Sequence, residues 1–465
     1  MTMEHSKAGS IKRIMTLQMS VIGLFIHTGL YALIWFNDYY PLVRLKLKFY
    51  INGHILILLI YFILLLFITK TYEGNKIGFL KPFDVILSQV FSLFIVNVIS
   101  YLQISLMRNW VVPQGPMWRL LAMQIAFSIA WVYLSDYVYK KVFPPREMIL
   151  VYGARPIGDI MTKFGSRPDR YKISECVNIS EGYEKVIDLI SGFDTVVLWD
   201  IPTMDRNRLI KYCYGHMIRM YVMPKIPDVL MRGSVQIHLS DTSLYMTREY
   251  ALSFGQRFFK RMIDLVCGIL LLIITSPIFL ITAIVIKTYD HGPVFYKQTR
   301  CTIDMREFSI IKFRSMRVDA EKDGVARLAR KDDDRITPVG RFIRKCRIDE
   351  LPQLINVIRG DMSFIGPRPE RPEIINEYIE EMPEFAYRTR VKAGLAGYAQ
   401  VYGKYNTTPY DKLKLDLTYI QNYSVGLDIK LMLLTLKILV KPESTEGVGE
   451  MQVTAMKEEQ HNDQL

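Results

Sequence analysis

The chain has 465 residues, 50% of them hydrophobic, and a formal net charge of +13. That length allows two or three domains, and the positive charge suits cytoplasmic loops and anionic lipid headgroups. Basic runs interleaved with aromatic residues and zinc-finger spacings are both missing from the sequence, which argues against nucleic-acid binding.

The cysteines indicate a reducing compartment. They are odd in number and widely scattered, and a disulfide framework or a cysteine metal site would need paired spacing. We therefore expect reduced, cytosol-side thiols. The residues are Cys176, Cys213, Cys267, Cys301 and Cys346.

Four apolar segments predict an N-terminal membrane domain over residues 1–143. Each has the ~20 residues needed to cross a bilayer. The first lacks the small-residue cleavage site of a signal peptide, which favours a retained helix. Positive loops favour an N-terminus inside the cell and a return to the cytoplasm after the fourth crossing. The cluster Arg44, Lys46 and Lys48 opposes this topology. The segments run approximately over residues 14–36, 50–69, 85–107 and 120–139.

Residues 144–250 predict a Rossmann-like α/β domain. Apolar stretches at 147–152, 193–199 and 218–223 are typical of buried parallel strands, with helical patterns between them. The turn after the first stretch holds only Gly153 and Gly158 of a dinucleotide fingerprint. A partial glycine turn is weak evidence, so a nucleotide site and a structural or regulatory domain both stay open.

A fifth apolar segment, about residues 263–287, is interrupted by Ser276 and Pro277. A proline removes one helical hydrogen bond and kinks the axis. An ordinary transmembrane helix with a tolerated proline is one interpretation. However, a fifth crossing would place the rest of the chain outside the cell, away from any cytosolic activated substrate. We therefore predict a re-entrant helix that enters and leaves on the cytoplasmic face and breaks at Ser276-Pro277.

Two adjacent carboxylates, Asp349 and Glu350, stand among arginines beyond this segment. A carboxylate pair beside guanidinium groups can attack a phosphorus centre, hold a divalent metal and keep phosphates nearby. Arg368 lies between two prolines that restrict its backbone. A solvated helix start is the alternative for an isolated Asp-Glu pair. Beside membrane segments, this chemistry points to a lipid phosphate as one substrate.

Eight short motifs follow one another in order from about residue 256 to residue 441. They are Lys260-Arg261-Met262-Ile263-Asp264, Ser276-Pro277, Gly292-Pro293-Val294-Phe295, Lys312-Phe313-Arg314-Ser315-Met316, Asp349-Glu350-Leu351-Pro352-Gln353-Leu354, Gly360-Asp361-Met362-Ser363, Gly366-Pro367-Arg368-Pro369-Glu370 and Gly397-Tyr398-Ala399-Gln400-Val401. With these motifs the chain resembles the bacterial sugar transferases, that is, polyprenyl-phosphate glycosyl-1-phosphate transferases. It is similar to their long form, which has four N-terminal transmembrane helices, a Rossmann-like domain and a monotopic, α-rich (α+β) catalytic domain with a re-entrant membrane helix.

The resemblance implies a two-step exchange. A UDP-sugar gives its sugar-1-phosphate to an aspartate and releases UMP, and undecaprenyl phosphate then takes the phosphosugar, which starts exopolysaccharide, capsule or O-antigen assembly. By position, Asp349 matches the nucleophile and Mg²⁺ ligand, and Glu350 matches its dyad partner. Lys312 and Arg314 suit substrate phosphates or lipid headgroups, with a solvated surface as the alternative. The predicted phosphate-binding residues are Lys312, Arg314, Arg344, Pro367, Arg368 and Pro369.

One turn departs from the family pattern. Family members usually have a glycine-containing turn after the arginine that matches Arg300, followed by a second glycine and a lysine. Here Cys301-Thr302-Ile303-Asp304-Met305-Arg306 replaces it. The role of that turn in this chain is therefore open, although Arg306 keeps a positive charge there.

The last two segments differ in polarity. Residues 429–440 predict a leucine-rich helix that lies on the membrane surface or faces the core. Residues 442–465 are polar, rich in glutamate and without periodicity, which predicts disorder.

We expect a multi-pass protein of the inner (plasma) membrane with a cytoplasmic catalytic domain over residues 251–441. The expected partners are a UDP-sugar, undecaprenyl phosphate and membrane lipids, with Mg²⁺ as cofactor and no nucleic acid. A homodimer and contacts with downstream glycosyltransferases stay open, as does the identity of the sugar. The alternative functions are a membrane-anchored nucleotide-sugar oxidoreductase or dehydratase, which needs a complete glycine fingerprint, and a non-catalytic scaffold for polysaccharide export, which leaves the Asp349 dyad without a role.

Overall fold

The computed structural model describes residues 2–44, 50–247, 251–317, 335–403 and 407–439. The chain forms two compact units, Met1–Pro224 and Lys225–Leu465. The tail predicted to be disordered, residues 442–465, lies outside the described residues.

The first unit opens with long apolar helices. Within the described residues, helical segments at Ile11–Val43, Ile51–Thr71, Pro82–Arg108 and Gly115–Val142 are long and apolar enough to cross a membrane, as is Phe254–Asp290 in the second unit. A π-helical turn over Trp35–Tyr39 joins the first two helices. The helices are α1 (Thr2–Ile34), α2 (Tyr40–Val43), α3 (Ile51–Thr71), α4 (Pro82–Arg108) and α5 (Gly115–Val142).

Buried polar groups tie these helices together. Tyr61 on α3 donates its hydroxyl hydrogen to Asn97 on α4 at 2.9 Å, and Asn97 donates to Gln124 on α5 at 2.9 Å. Gln124 in turn donates to Tyr61 at 2.8 Å and to the His27 carbonyl of α1 at 3.2 Å. Polar side chains at membrane depth need such partners because hydrocarbon offers none. The ring therefore fixes the order of the four helices.

An α/β region follows in the same unit. Its four strands form a parallel sheet in the order β2-β1-β3-β4. The strands predicted near residues 147, 193 and 218 are confirmed, whereas β2 was not predicted. β2 lies at the sheet edge and is largely exposed, so its sequence lacks a continuous apolar run. The elements are β1 (Arg146–Tyr152), α6 (Gly158–Gly165), β2 (Tyr171–Asn178), α7 (Tyr183–Ser191), β3 (Thr195–Trp199), α8 (Thr203–Gly215) and β4 (Arg219–Val222).

Gly153, at the end of β1, has a structural reason to be glycine. A Cβ atom there would lie 2.2 Å from the Asp200 carbonyl oxygen, a separation that no side chain tolerates. The glycine therefore serves the close approach of the loops after β1 and β3. This packing accounts for Gly153 without a nucleotide.

The second unit holds the remaining described elements. β5 and β6 pair antiparallel, as do β7 and β8, while β9 and β10 pair in parallel. The elements are α9 (Ile226–Met231), β5 (Val235–Leu239), β6 (Thr242–Met246), α10 (Phe254–Asp290), β7 (Phe295–Cys301), β8 (Glu307–Phe313), α11 (Pro338–Lys345), α12 (Gln353–Arg359), β9 (Ser363–Ile365), α13 (Pro372–Glu381), β10 (Gly394–Ala396), α14 (Tyr398–Tyr402), α15 (Pro409–Gln421) and α16 (Val425–Leu439).

One core joins the elements of this unit. Ile226 and Val229 of α9 pack in it with Leu354 of α12, Leu417 of α15 and Leu431 of α16. Residues 225–231, expected at the end of the α/β domain, thus belong to the core of the second unit. α16 contributes Leu431 to this core, and its Leu434 is also buried. This arrangement agrees with the core-facing interpretation of that helix.

The apolar segment with the internal proline forms one long helix, α10. Ser253 caps its start by accepting a hydrogen bond from the Gln256 backbone amide, and the helix continues through Pro277. The Ser276 hydroxyl bonds to the Ile273 carbonyl at 2.8 Å. Buried residues occur near both ends of the helix, whereas most apolar side chains of its middle are exposed, as expected of a lipid-facing surface.

Candidate active site

A sharp turn places the two adjacent carboxylates between α11 and α12. Arg347, two residues after the end of α11, adopts a left-handed conformation with φ of 53°. A 3₁₀ turn over Ile348–Glu350 follows, and Pro352 then leads into α12. A non-glycine residue at positive φ is strained, and such strain concentrates at functional sites. Asp349 and Glu350 are therefore presented on a tight turn rather than within a regular helix.

Glu350 is surrounded by cations. Its Oε1 accepts a hydrogen bond from Arg368 Nη2 at 3.0 Å and lies 3.8 Å from Lys312 Nζ. Its Oε2 lies 3.6 Å from Arg347 Nη1. Burial alone would raise the pKa of Glu350, but Arg368, Lys312 and Arg347 outweigh it and hold the pKa well below the ordinary value. Glu350 is thus ionised over the whole neutral range.

Asp349 has the opposite character. Burial and the neighbouring charge of Glu350 raise the pKa of Asp349 above its ordinary value, against the attraction of Lys312 and Arg344. The surrounding cations thus favour ionised Glu350, and Asp349 holds the less stabilised negative charge of the two. A poorly stabilised carboxylate is the better nucleophile of such a pair.

Arg368 reaches Glu350 from a loop that follows β9. The Gly394 amide donates to the Pro367 carbonyl at 2.9 Å, and Arg300 Nη1 donates to the Pro369 carbonyl at 3.2 Å. The prolines restrict the backbone dihedral angles on both sides of Arg368. The predicted phosphate-binding loop is therefore fixed through its carbonyl groups, and its arginine lies beside the dyad.

Hydrogen bonds connect β9 to α10. Lys260 Nζ donates to the Ile365 carbonyl at 2.8 Å and to Asp428 Oδ2 of α16 at 2.7 Å. Asp264 accepts hydrogen bonds from the Ser363 hydroxyl and the Phe364 amide, both at 2.9 Å. The apolar helix and the strand that carries the arginine loop are therefore joined by buried, charge-assisted hydrogen bonds.

The residues of this site lie in a part of the chain that is similar to known proteins. The family described as bacterial sugar transferase matches residues 255–442. The sugar transferase EpsL of Bacillus subtilis, itself uncharacterised, is 42% identical over 190 residues, which cover 41% of this chain and 89% of EpsL. The chain belongs to the bacterial sugar transferase family.

Two longer members of the family match over more residues. A UDP-N-acetylgalactosamine-undecaprenyl-phosphate N-acetylgalactosaminephosphotransferase of Aeromonas hydrophila is 38% identical over 265 residues, 56% of this chain and 59% of that protein. An undecaprenyl-phosphate glucose phosphotransferase of Komagataeibacter xylinus is 37% identical over 258 residues, 52% of this chain and 48% of that protein. The chain thus matches about half the length of these two sugar transferases.

The structure of this sugar transferase family member brings most of the predicted site residues together. Lys312, Arg344 and Arg368 all act on the dyad through contact or charge. Arg314 is placed differently, because its Nη2 forms a close ion pair with Asp290 at the end of α10. Gly292 leaves room for this pair, since a Cβ there would lie 2.5 Å from Arg314 Nη1. Arg314 therefore joins α10 to β8, the strand that carries Lys312.

The turn that departs from the family pattern keeps its connections. Asp304 and Met305 both adopt positive φ, 53° and 59°, a conformation that glycine adopts more readily. Thr302 donates its hydroxyl hydrogen to the Asp361 carbonyl at 2.9 Å and accepts from the Ala393 amide at 3.1 Å. The Cys301 amide donates to the Glu370 carbonyl at 3.0 Å. The altered turn is thus strained but still linked to the arginine loop.

The donor set suits a magnesium ion shared with a substrate. No group of three or more His, Cys, Asp or Glu side chains that would hold a metal occurs among the residues the structure describes. Mg²⁺ usually takes one or two carboxylates and completes its octahedron with water and substrate phosphates. Asp349, whose negative charge is disfavoured by Glu350 and partly offset by Lys312, Arg344 and Arg347, fits such an ion.

Sequence reasoning missed the charged residues behind the loop. Glu370 lies against Lys412, with Arg300 Nη1 and Arg388 Nη1 each 3.7 Å from its carboxylate. Burial would raise the pKa of Glu370, but Lys412 and Arg388 bring it down to about 2. Glu370 is the last residue of the motif that begins at Gly366, yet its partners Arg388 and Lys412 lie in separate parts of the sequence and share no pattern with it.

Proposed function

We propose that this protein transfers sugar-1-phosphate from a UDP-sugar to undecaprenyl phosphate, as a polyprenyl-phosphate glycosyl-1-phosphate transferase. The observation that carries the proposal is the dyad turn, where Glu350 is held ionised by three cations beside a less stabilised Asp349. Family membership supports the reaction class, and the names of the Aeromonas and Komagataeibacter relatives supply the lipid acceptor. The product begins exopolysaccharide, capsule or O-antigen assembly.

In the first step, a carboxylate oxygen of Asp349 attacks the β-phosphorus of the UDP-sugar. The bond between that phosphorus and the bridging oxygen breaks, and UMP leaves with the bridging oxygen and its electron pair. In the second step, a phosphate oxygen of undecaprenyl phosphate attacks the same phosphorus. The aspartyl-phosphate bond then breaks, which restores the Asp349 carboxylate and yields undecaprenyl-diphosphate-sugar.

The cations around the dyad have a defined task in both steps. A carboxylate that approaches an anionic phosphate is repelled, and arginine side chains offset this repulsion because their planar fork matches phosphate oxygens. Arg368 and Lys312 lie at the dyad and are placed to do so. We propose Mg²⁺ on Asp349, where it would withdraw electron density from the phosphate oxygens.

We propose that α10 enters and leaves the membrane on the cytoplasmic face of the inner membrane, and that it bends at Ser276-Pro277. The two ends of the helix support this. Near its start, Lys260 and Asp264 bind β9, and at its end Asp290 binds Arg314 just after β8. A straight α10 of 37 residues would span about 55 Å, so anchoring both ends on one domain favours a helix that returns to the face it entered.

The two relatives above are named for different sugars, N-acetylgalactosamine and glucose, so their names do not single out one donor for this chain.

We propose a Rossmann-like fold for the α/β region, supported by its parallel strand order and the helices between the strands.

The test is lipid-dependent release of UMP. Purified protein in detergent is given Mg²⁺ and a panel of UDP-sugars, with and without undecaprenyl phosphate, and UMP is quantified. We expect turnover with at least one donor, dependent on both metal and lipid and lost in Asp349→Asn. Polysaccharide production in cells that survives Asp349→Asn would favour the oxidoreductase or scaffold alternatives.

A further inference from the structure

Arg388 carries a buried guanidinium group that contacts the backbone of the arginine loop. It lies on the 3₁₀ segment Pro383–Arg390 and is 2% exposed. Its Nε and Nη2 lie 3.0 Å and 2.8 Å from Asp416 Oδ2 on α15. The same Nη2 donates to the Arg368 carbonyl at 2.9 Å. Arg388 therefore connects a buried carboxylate to the main chain of a residue in the site.

The loop needs such an external donor. Pro367 and Pro369 have no backbone N–H, so the loop is attached through its carbonyl groups. Arg388 supplies the donor at Arg368, between the Gly394 amide at Pro367 and Arg300 at Pro369. A shift of the Arg368 main chain would move the guanidinium group that lies 3.0 Å from Glu350. The position of the Arg368 guanidinium group therefore depends on the hydrogen bond that Arg388 donates to the Arg368 carbonyl.

Asp416 is the partner that keeps Arg388 in place. It is 1% exposed, and the pKa of its carboxyl group is raised by burial and lowered in part by Arg388. A buried ion pair is costly unless its geometry is good, because both charges lose water. Arg388 offsets this cost with bonds to both a carboxylate and a carbonyl. Replacing either partner should thus release the loop.

We propose that Arg388, held by Asp416, is a positioning residue that fixes the Arg368 main chain and so aims its guanidinium group at the dyad and at a bound diphosphate. The catalytic consequence rests on the proposed function. A lysine at position 388 keeps the charge but lacks the planar fork that spans the carboxylate and the carbonyl. Arg388→Lys is therefore the sharpest single change.

The experiment measures the dissociation constant of Mg²⁺·UDP for the full-length protein in detergent, by isothermal titration calorimetry. The variants are Arg388→Lys, Arg368→Lys, the double variant and Asp416→Asn. Asp411→Asn is the matched control, because Asp411 also lies on α15 but pairs with Lys414 at 2.7 Å and accepts a hydrogen bond from Thr408 at 3.2 Å. UMP release by the same preparations is recorded separately.

We expect the dissociation constant to rise on the order of tenfold in Arg388→Lys and in Asp416→Asn, as for the loss of a charge-assisted contact. The control should stay within about twofold of the unaltered protein, and the double variant should bind about as weakly as Arg368→Lys, because residues that act through one contact are not additive. A role in stability alone would lower the fraction of binding-competent protein and leave the dissociation constant unchanged.

Two results would overturn the inference. One is unchanged Mg²⁺·UDP affinity in Arg388→Lys while Arg368→Lys binds more weakly. The other is a fully additive loss in the double variant. If the unaltered protein binds Mg²⁺·UDP but releases no UMP, the proposed function fails, and the same dissociation constants still decide the role of Arg388.

Discussion

The Glu350 carboxylate accepts a hydrogen bond from Arg368 at 3.0 Å, across 18 positions of the sequence. This contact joins the dyad turn to the arginine loop and makes one site of two motifs. Lys312 contributes from β8 at 3.8 Å, so three separate segments supply the charges around one carboxylate. The arrangement is suited to a reaction in which an anionic nucleophile meets an anionic phosphate.

Arg368→Lys should lower kcat/KM by roughly 10- to 100-fold, because the hydrogen bond to Glu350 and the forked contact with phosphate are both lost. Steady-state kinetics with the preferred UDP-sugar measure this change. Arg341→Lys, an exposed position on α11, is the matched control and should leave kcat/KM unaltered. Equal activity of Arg368→Lys and the control would remove Arg368 from the site.

Lys260→Met should destabilise the protein strongly, by about 3–5 kcal/mol, because it leaves the Asp428 charge buried without its cation. The double variant Lys260→Met, Asp428→Leu should recover part of that loss, since an apolar pair replaces the ion pair. Thermal unfolding in detergent compares the two. A double variant less stable than Lys260→Met would show that Asp428 stabilises the fold even without its cation, through the hydrogen bond it accepts from Tyr419 at 2.7 Å.

Glu370 should make stability depend on pH in the acid range. Lys412 and Arg388 outweigh burial and bring the pKa of Glu370 to about 2, below its ordinary value of 4.5. The group is therefore ionised more readily in the folded state, and its contribution is fully present above about pH 4.5 and lost as pH falls towards 2. The contribution is on the order of 3 kcal/mol at neutral pH.

Thermal unfolding of the unaltered protein and of Glu370→Gln, recorded from pH 7 downward, tests this dependence. We expect the variant to unfold at a lower temperature at pH 7, and the gap to close as pH drops below 4.5. A gap that stays constant across this range would mean that the Glu370 charge contributes no net stability.

The described structure shows which features the sequence could predict. Long apolar helices and buried strands are periodic along the chain, so α3, α4 and β3 lie close to their predicted bounds. The dyad and the arginine loop were found because their residues are contiguous in motifs. Arg314 was expected at a substrate phosphate or a lipid headgroup, and the structure adds an ion pair with Asp290, a partner 24 positions away that no local pattern indicates.

The buried charge networks could not be predicted from the sequence either, because their partners lie far apart in the chain. Lys260 and Asp428 are 168 positions apart, and Arg388 and Asp416 are 28 apart. An isolated charged residue on a helix is usually solvated. Only packing reveals that these side chains are buried and paired. The edge strand β2 was missed because exposure had removed the apolar pattern on which strand prediction depends.

The membrane topology is testable with engineered cysteines at Asp290 and Lys140. In a background where the exposed Cys176 and Cys346 are serine, we expect a membrane-impermeant thiol reagent to label both positions from the cytoplasmic side. Labelling of the two positions from opposite sides would make α10 an ordinary crossing and place the dyad outside the cell.

The most direct test of the central claim is isolation of the phosphosugar on Asp349. Full-length protein is incubated with UDP-sugar labelled at the β-phosphate, without undecaprenyl phosphate, and the protein is digested and mapped by mass spectrometry. We predict one labelled peptide that contains Asp349, cleared when undecaprenyl phosphate is added and missing in Asp349→Asn. Release of UMP with no label on the protein, or label that survives in Asp349→Asn, would contradict the account.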